Sequence, residues 1–191
     1  MSAWTRLPVD FWDHTPYPGE RPDSSWRLAG DHVHRVVPAG QDGWTDTVTE
    51  EEIDLGGRVF ILAYGSNANP AKLLGIDAVM LQAEITDAQA VWSGGRRQSD
   101  NSVVATIARR TGHVEACPVL AVHPEGLRKV DRWEGRAYTR EEFWGRCTLE
   151  NGRDISAEVY VGGRTRRPLV VGGNHVPLHD ADHSYVDGIV P

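Results

Sequence analysis

The stretch that most limits what this chain can fold into is a short apolar run, residues 58–63, that stops at Tyr64-Gly65-Ser66-Asn67. The run has the length of a strand and is too short for a helix. Gly65, Ser66, Asn67 and Asn69 are turn formers, so the strand must end there. Pro70 suits the first position of a helix, where its missing N–H loses nothing, and Asn69 suits the N-cap. A strand that delivers a glycine loop to a helix start gathers unpaired N–H groups at one point. Such a point can hold a carboxylate or a developing oxyanion, although many joints of this shape bind nothing.

The 191 residues fit one domain with some extra length. A net charge of −7 gives no basic footprint for nucleic acid. No apolar run approaches the roughly 18 residues that would span a bilayer, and the first residues lack the apolar core of a signal peptide. Cys117 and Cys147 stand far apart without CxxC spacing, which reads as two reduced, packed thiols. The expected location is cytoplasmic, by elimination, and nothing points to a particular protein partner.

Residues 1–57 differ in character from residues 58–191. They hold Pro8, Pro16, Pro18, Pro22 and Pro38 and no long periodic stretch, yet they carry Trp4, Trp12, Trp26 and Trp44 out of 7 tryptophans. Free tails are poor in aromatics, because a large ring buries enough area to offset ordering. The segment therefore reads as an irregular arm packed on the domain. Beyond the glycine loop, residues 79–92, 102–108 and 114–122 read as strands, with a turn at Thr111-Gly112 and an edge or bulge at Pro118. Pro124 and Glu125 open a helix with Leu127, Val130 and Trp133 on one face, and Gly135 stops it. Asn151-Gly152 signals a hairpin between residues 138–149 and 155–161. About six strands and two short helices in hairpin order argue an α+β domain with a largely antiparallel, closed or partly closed, barrel-like sheet. The Gly-, Pro- and His-rich tail from Arg164 has no assignable pattern.

The end of that helix reads Asp131-Arg132-Trp133-Glu134-Gly135, followed by Tyr138. Glu134, beside an apolar wall and at the negative end of the helix dipole, is a candidate for proton transfer; a solvated glutamate before a capping glycine is the plainer reading. Tyr64-Gly65-Ser66-Asn67 after a buried strand, followed by Asp131, Glu134, Gly135 and Tyr138, resembles the γ-glutamylcyclotransferase-like family. Residues 103–107, Gly112, the strand to Val122 and Val159-Tyr160-Val161 resemble the middle and end of that family. The likeness runs over residues 58–163.

The resemblance implies a small barrel-like fold with a cavity between the glycine loop and the glutamate. It implies a reaction in which a γ-glutamyl compound releases pyroglutamate and an amine. The α-amine of the substrate attacks its own γ-carbonyl, so the enzyme chiefly fixes a conformer and moves protons. Glu134 is the candidate general acid/base. The N–H groups of Gly65, Ser66 and Asn67 would hold the substrate, Tyr64 and Tyr138 would add hydroxyls, and no metal or organic cofactor is needed. A catalytically silent relative that binds a γ-glutamyl or carboxylate ligand, or a protein, is the alternative. His175, His179 and His183 have ligand spacing only on a helix, which Gly172, Gly173 and Pro177 oppose. Arg96, Arg97, Arg109 and Arg110 could recognise carboxylates, but loop arginines are more often solvated.

Overall fold

The computed structural model describes residues 4–40 and 43–191. Its strands are β1 (Arg6–Pro8), β2 (Trp26–Ala29), β3 (His32–Ala39), β4 (Gly43–Asp46), β5 (Val59–Leu62), β6 (Ala78–Leu81), β7 (Ala83–Arg96), β8 (Val103–Ala116) and β9 (Val119–Val122). Helix α1 (Pro124–Glu134) follows, then β10 (Tyr138–Glu142), β11 (Cys147–Leu149), β12 (Asp154–Ile155), β13 (Glu158–Gly162), β14 (Val170–Val171), β15 (Asn174–His175) and α2 (His183–Ile189). Among the described residues no helix is long and apolar enough to cross a membrane.

Nine strands form one sheet in the order β1-β3-β2-β6-β9-β5-β13-β10, with β4 also on β3. Every pair in it is antiparallel except β5 with β13. A second sheet runs β12-β11-β7-β8. The closed or partly closed barrel expected from the sequence is not formed. The path of the large sheet ends at β1 on one side and at β10 on the other, and these ends do not pair. Closure needs the two outer strands to share a ladder. Here the arm extends one edge, while the long β7–β8 hairpin takes its partners in the other sheet.

Both faces of the large sheet are covered, which explains why β5, β6 and β9 read as unbroken apolar runs. Ile61, Met80, Leu120 and Val122 point to one face and pack with Leu127 and Val130 of α1. Leu62, Val79, Leu81, Val119 and Ala121 point to the other and pack with Ile85, Trp92, Val104 and Ile107 of the second sheet. The alternation is the two-residue repeat of a strand. Pro118 falls where the chain leaves β8 for β9, so it ends one ladder and costs neither a hydrogen bond.

Three local expectations change. The arm is not irregular: β1 to β4 lie within it and extend the large sheet, with Trp26 and Trp44 fully buried. β1, β2 and β4 have three or four residues each, and the eight-residue β3 carries His, Arg and Pro, so no periodic signal builds up. Thr111-Gly112 is not a turn between strands but lies inside β8, opposite a bulge at Asp87, whose carboxylate accepts from the Gly112 N–H at 2.8 Å. Trp133 does not share the buried face of α1; it is 45% exposed. The Asn151-Gly152 hairpin does form, but it splits between the sheets: β11 and β12 pair in the small one, β10 and β13 in the large one.

Candidate functional site

The glycine loop closes over a cavity of about 130 Å³ at the end of β5. Ser66–Ala68 make one 3₁₀ turn and Pro70–Leu73 a second, with the Asn69 side chain accepting from the Ala71 N–H at 2.9 Å. Across the cavity, Gly135 adopts φ +57° and ends α1, which leaves Glu134 as its last residue. The Glu134 side chain is only 12% exposed. Its Oε1 accepts from Asn67 Nδ2 at 3.0 Å and lies 3.5 Å from Lys72 Nζ. Lys72 Nζ also donates to Ser66 Oγ at 3.0 Å. The loop and the helix end are thus tied together through one carboxylate oxygen, and Oε2 accepts no hydrogen bond among the described residues. Burial holds the Lys72 ammonium below the ordinary lysine range; the Arg97 charge adds to this and Glu134 opposes it.

Four tyrosines line the cavity; Tyr160 donates its hydroxyl to Asp131 Oδ1 at 2.8 Å, and the other three hydroxyls have backbone partners. Tyr64 donates to the Tyr160 carbonyl at 2.6 Å and Tyr138 to the Ala105 carbonyl at 2.7 Å. Tyr17, from the arm, accepts from the Ala105 N–H at 2.9 Å. Burial raises the Tyr17 phenol to about 12 and pushes Tyr64 and Tyr138 up as well, so all three are neutral walls near neutral pH. Gly65 is required by closeness, not by an unusual φ: a Cβ there would stand 2.6 Å from the Tyr17 hydroxyl.

Every residue named from the sequence, Tyr64, Gly65, Ser66, Asn67, Glu134 and Tyr138, lines this one cavity. Ten further residues line it, among them Tyr17, Lys72, Tyr160 and Arg166, and also Arg97, which the sequence offers only as a solvated or carboxylate-binding loop arginine. Lys72 carried one weak signal, since it and Lys129 are the only lysines in an arginine-rich chain. Tyr17 carried none, because its place depends on how the arm pairs. Arg96 turns instead to the end of α2, and Arg109 lies over the Trp144 ring at 4.1 Å. Among the described residues no group of three or more His, Cys, Asp or Glu is placed to hold a metal ion.

A nearly buried carboxylate thus faces a glycine loop across a small cavity. The family model described as gamma-glutamyl cyclotransferase, AIG2-like, matches residues 61–177, and the chain belongs to that family. A search of curated proteins gave no match. Among solved structures, one described as a gamma-glutamyl cyclotransferase is 21% identical, with a TM-score of 0.48 over 56% of this chain and 67% of the other. A yeast γ-glutamyl cyclotransferase specific to glutathione is 14% identical, with a TM-score of 0.48 over 61% and 75%. A mouse AIG2-like protein is 17% identical, with a TM-score of 0.47 over 67% and 93%.

Proposed function

We propose that this chain cleaves a γ-glutamyl amide by cyclisation, releasing pyroglutamate and an amine, with Glu134 as the general acid/base. Membership of the family supports the reaction class. The observation that carries the assignment of Glu134 is its carboxylate: it lines the cavity, is nearly buried, is fixed at Oε1 by Asn67, and has no hydrogen bond at Oε2 among the described residues. A group held by one oxygen and open at the other can take a proton and return it without losing its position.

The substrate's glutamyl head sits in the cavity. Its α-amine nitrogen forms a bond to its own γ-carbonyl carbon, and the C–N bond to the leaving amine breaks. Glu134 accepts the proton from the attacking nitrogen and passes it to the departing one, so no net proton is consumed. Ring closure is intramolecular, which leaves the site to hold a folded conformer and to stabilise the carbonyl oxygen as it becomes negative. The Gly65–Asn67 backbone and the Lys72 ammonium stand at the cavity wall for that purpose.

The test is Glu134→Gln, assayed for pyroglutamate release against γ-glutamyl peptides and amines. Gln keeps the acceptor for Asn67 but cannot carry the proton, so turnover is expected to fall by about 10²- to 10⁴-fold while the melting temperature holds. A variant that keeps most of the wild-type rate removes Glu134 from the mechanism.

A further inference from the structure

The cavity that faces Glu134 is small for a whole ligand. At about 130 Å³ it lies below the roughly 300–1,000 Å³ of ordinary small-molecule sites. It has a neighbour. A second cavity of about 390 Å³ shares Tyr17, Ser66, Lys72 and Arg97 with the first, and its outer wall is made by His14 and Pro18 of the arm.

That wall is fastened to the glycine loop, not draped over it. Asn69, the residue that caps the second turn of the loop, donates through Nδ2 to the carbonyls of Asp13 at 2.9 Å and Glu20 at 2.7 Å. One side chain therefore holds both ends of residues 13–20. Between them the Tyr17 ring lies 5.8 Å from Trp92 and 5.7 Å from the Arg97 guanidinium carbon. Arg21 donates to the Tyr64 carbonyl at 3.3 Å and secures the far side. A segment held at four points beside the site is a pre-formed wall, which costs little ordering when a ligand arrives.

The charge of this second cavity is one-sided. Lys72 and Arg97 line it, and no carboxylate does. Asp100 occupies Nε and Nη2 of Arg97, which leaves Nη1 without an acceptor among the described residues. A guanidinium fixed on one edge by an aspartate presents its other edge in a set direction, ready for a second acidic group.

We infer that residues 13–20 complete the site with a compartment for the amine half of the substrate, and that Arg97 selects an amine half bearing an acidic group. This rests on the cyclotransferase reading: the head lies against Glu134, and the bond to be broken lies at the junction lined by Ser66 and Lys72. It names what the glutamyl head cannot, the chemistry of the leaving group.

The experiment compares two leaving amines of equal length, β-alanine and propylamine, as γ-glutamyl-β-alanine and γ-glutamyl-propylamine, with wild-type protein and Arg97→Gln. Wild type is expected to favour the acidic compound by about tenfold or more in kcat/KM. Arg97→Gln is expected to bring the acidic-to-neutral ratio of kcat/KM down to about one, whatever common factor it imposes on both compounds. Wild type that turns over both compounds equally keeps the cyclotransferase reading and overturns the selection. Arg97→Gln that lowers both by the same factor assigns Arg97 to the head or to the fold and overturns it as well. Wild type that releases pyroglutamate from neither compound refutes the underlying reading, and the inference with it.

Discussion

Gly65→Ala tests whether the arm and the glycine loop are fitted to each other. The new methyl carbon would stand 2.6 Å from the Tyr17 hydroxyl oxygen, while the next atoms, Tyr17 Cζ and Ala105 Cβ, lie at ordinary contact distances of 3.7 and 3.8 Å. Gly65 has φ −107°, so alanine is not barred by a left-handed backbone. One atom causes the clash. Tyr17 cannot swing away freely, because its hydroxyl is bound to the Ala105 N–H and its ring is buried against Trp92. Overpacking of this kind costs about 1–3 kcal/mol. Tyr17→Phe removes the obstructing atom but strands the Ala105 N–H in the core, which costs about 1–3 kcal/mol by itself. The double variant therefore suffers the second loss and escapes the first, and its stability should lie close to that of Tyr17→Phe alone. Urea unfolding of the four proteins, with slopes compared to confirm two-state behaviour, measures the coupling. If the two losses simply add, to within about 0.5 kcal/mol, the hydroxyl is not what excludes a side chain at Gly65.

Two further outcomes follow from the charged groups. Lys72 is held below the ordinary lysine value of 10.5 by burial, so its charge is lost at a lower pH than that of a free lysine. The alkaline limb of kcat/KM should therefore fall below that value, and a limb that survives unchanged in Lys72→Met would assign it elsewhere. Asp46, fully buried in the arm, would be raised by burial alone. Hydrogen bonds from the Val48 N–H, His34 and Arg27 outweigh this and bring it to about 2 from 3.8. Because its folded value is the lower one, its contribution is complete above 3.8 and is lost as pH falls from there towards 2. The shift corresponds to about 2 kcal/mol. Asp46→Asn should cost stability at pH 7 and flatten the acid side of the stability curve; an unchanged acid transition would contradict this.

Local chemistry was enough to read the joint at the centre of the site. The apolar run at β5, the glycine that must stop it, Asn69 as a cap and Pro70 as the first residue of a turn depend only on neighbours in the chain, and so does Gly135 ending α1. The two motifs facing the cavity were legible for the same reason, as was the order in which they occur. What the chain could not state is which edges pair. Whether a sheet closes depends on its two outermost strands, and here the arm's four strands, three of them only three or four residues long and the eight-residue β3 broken up by His, Arg and Pro, occupy one of those edges. The same arm brings Tyr17 to Gly65 and holds residues 13–20 against Asn69. Lys72 and Arg97 converge there from separate turns, beside a glutamate 67 residues beyond Asn67. Contacts over such separations are set by packing of the whole chain, because each local segment is compatible with many partners and only the shared burial of both sheet faces selects one.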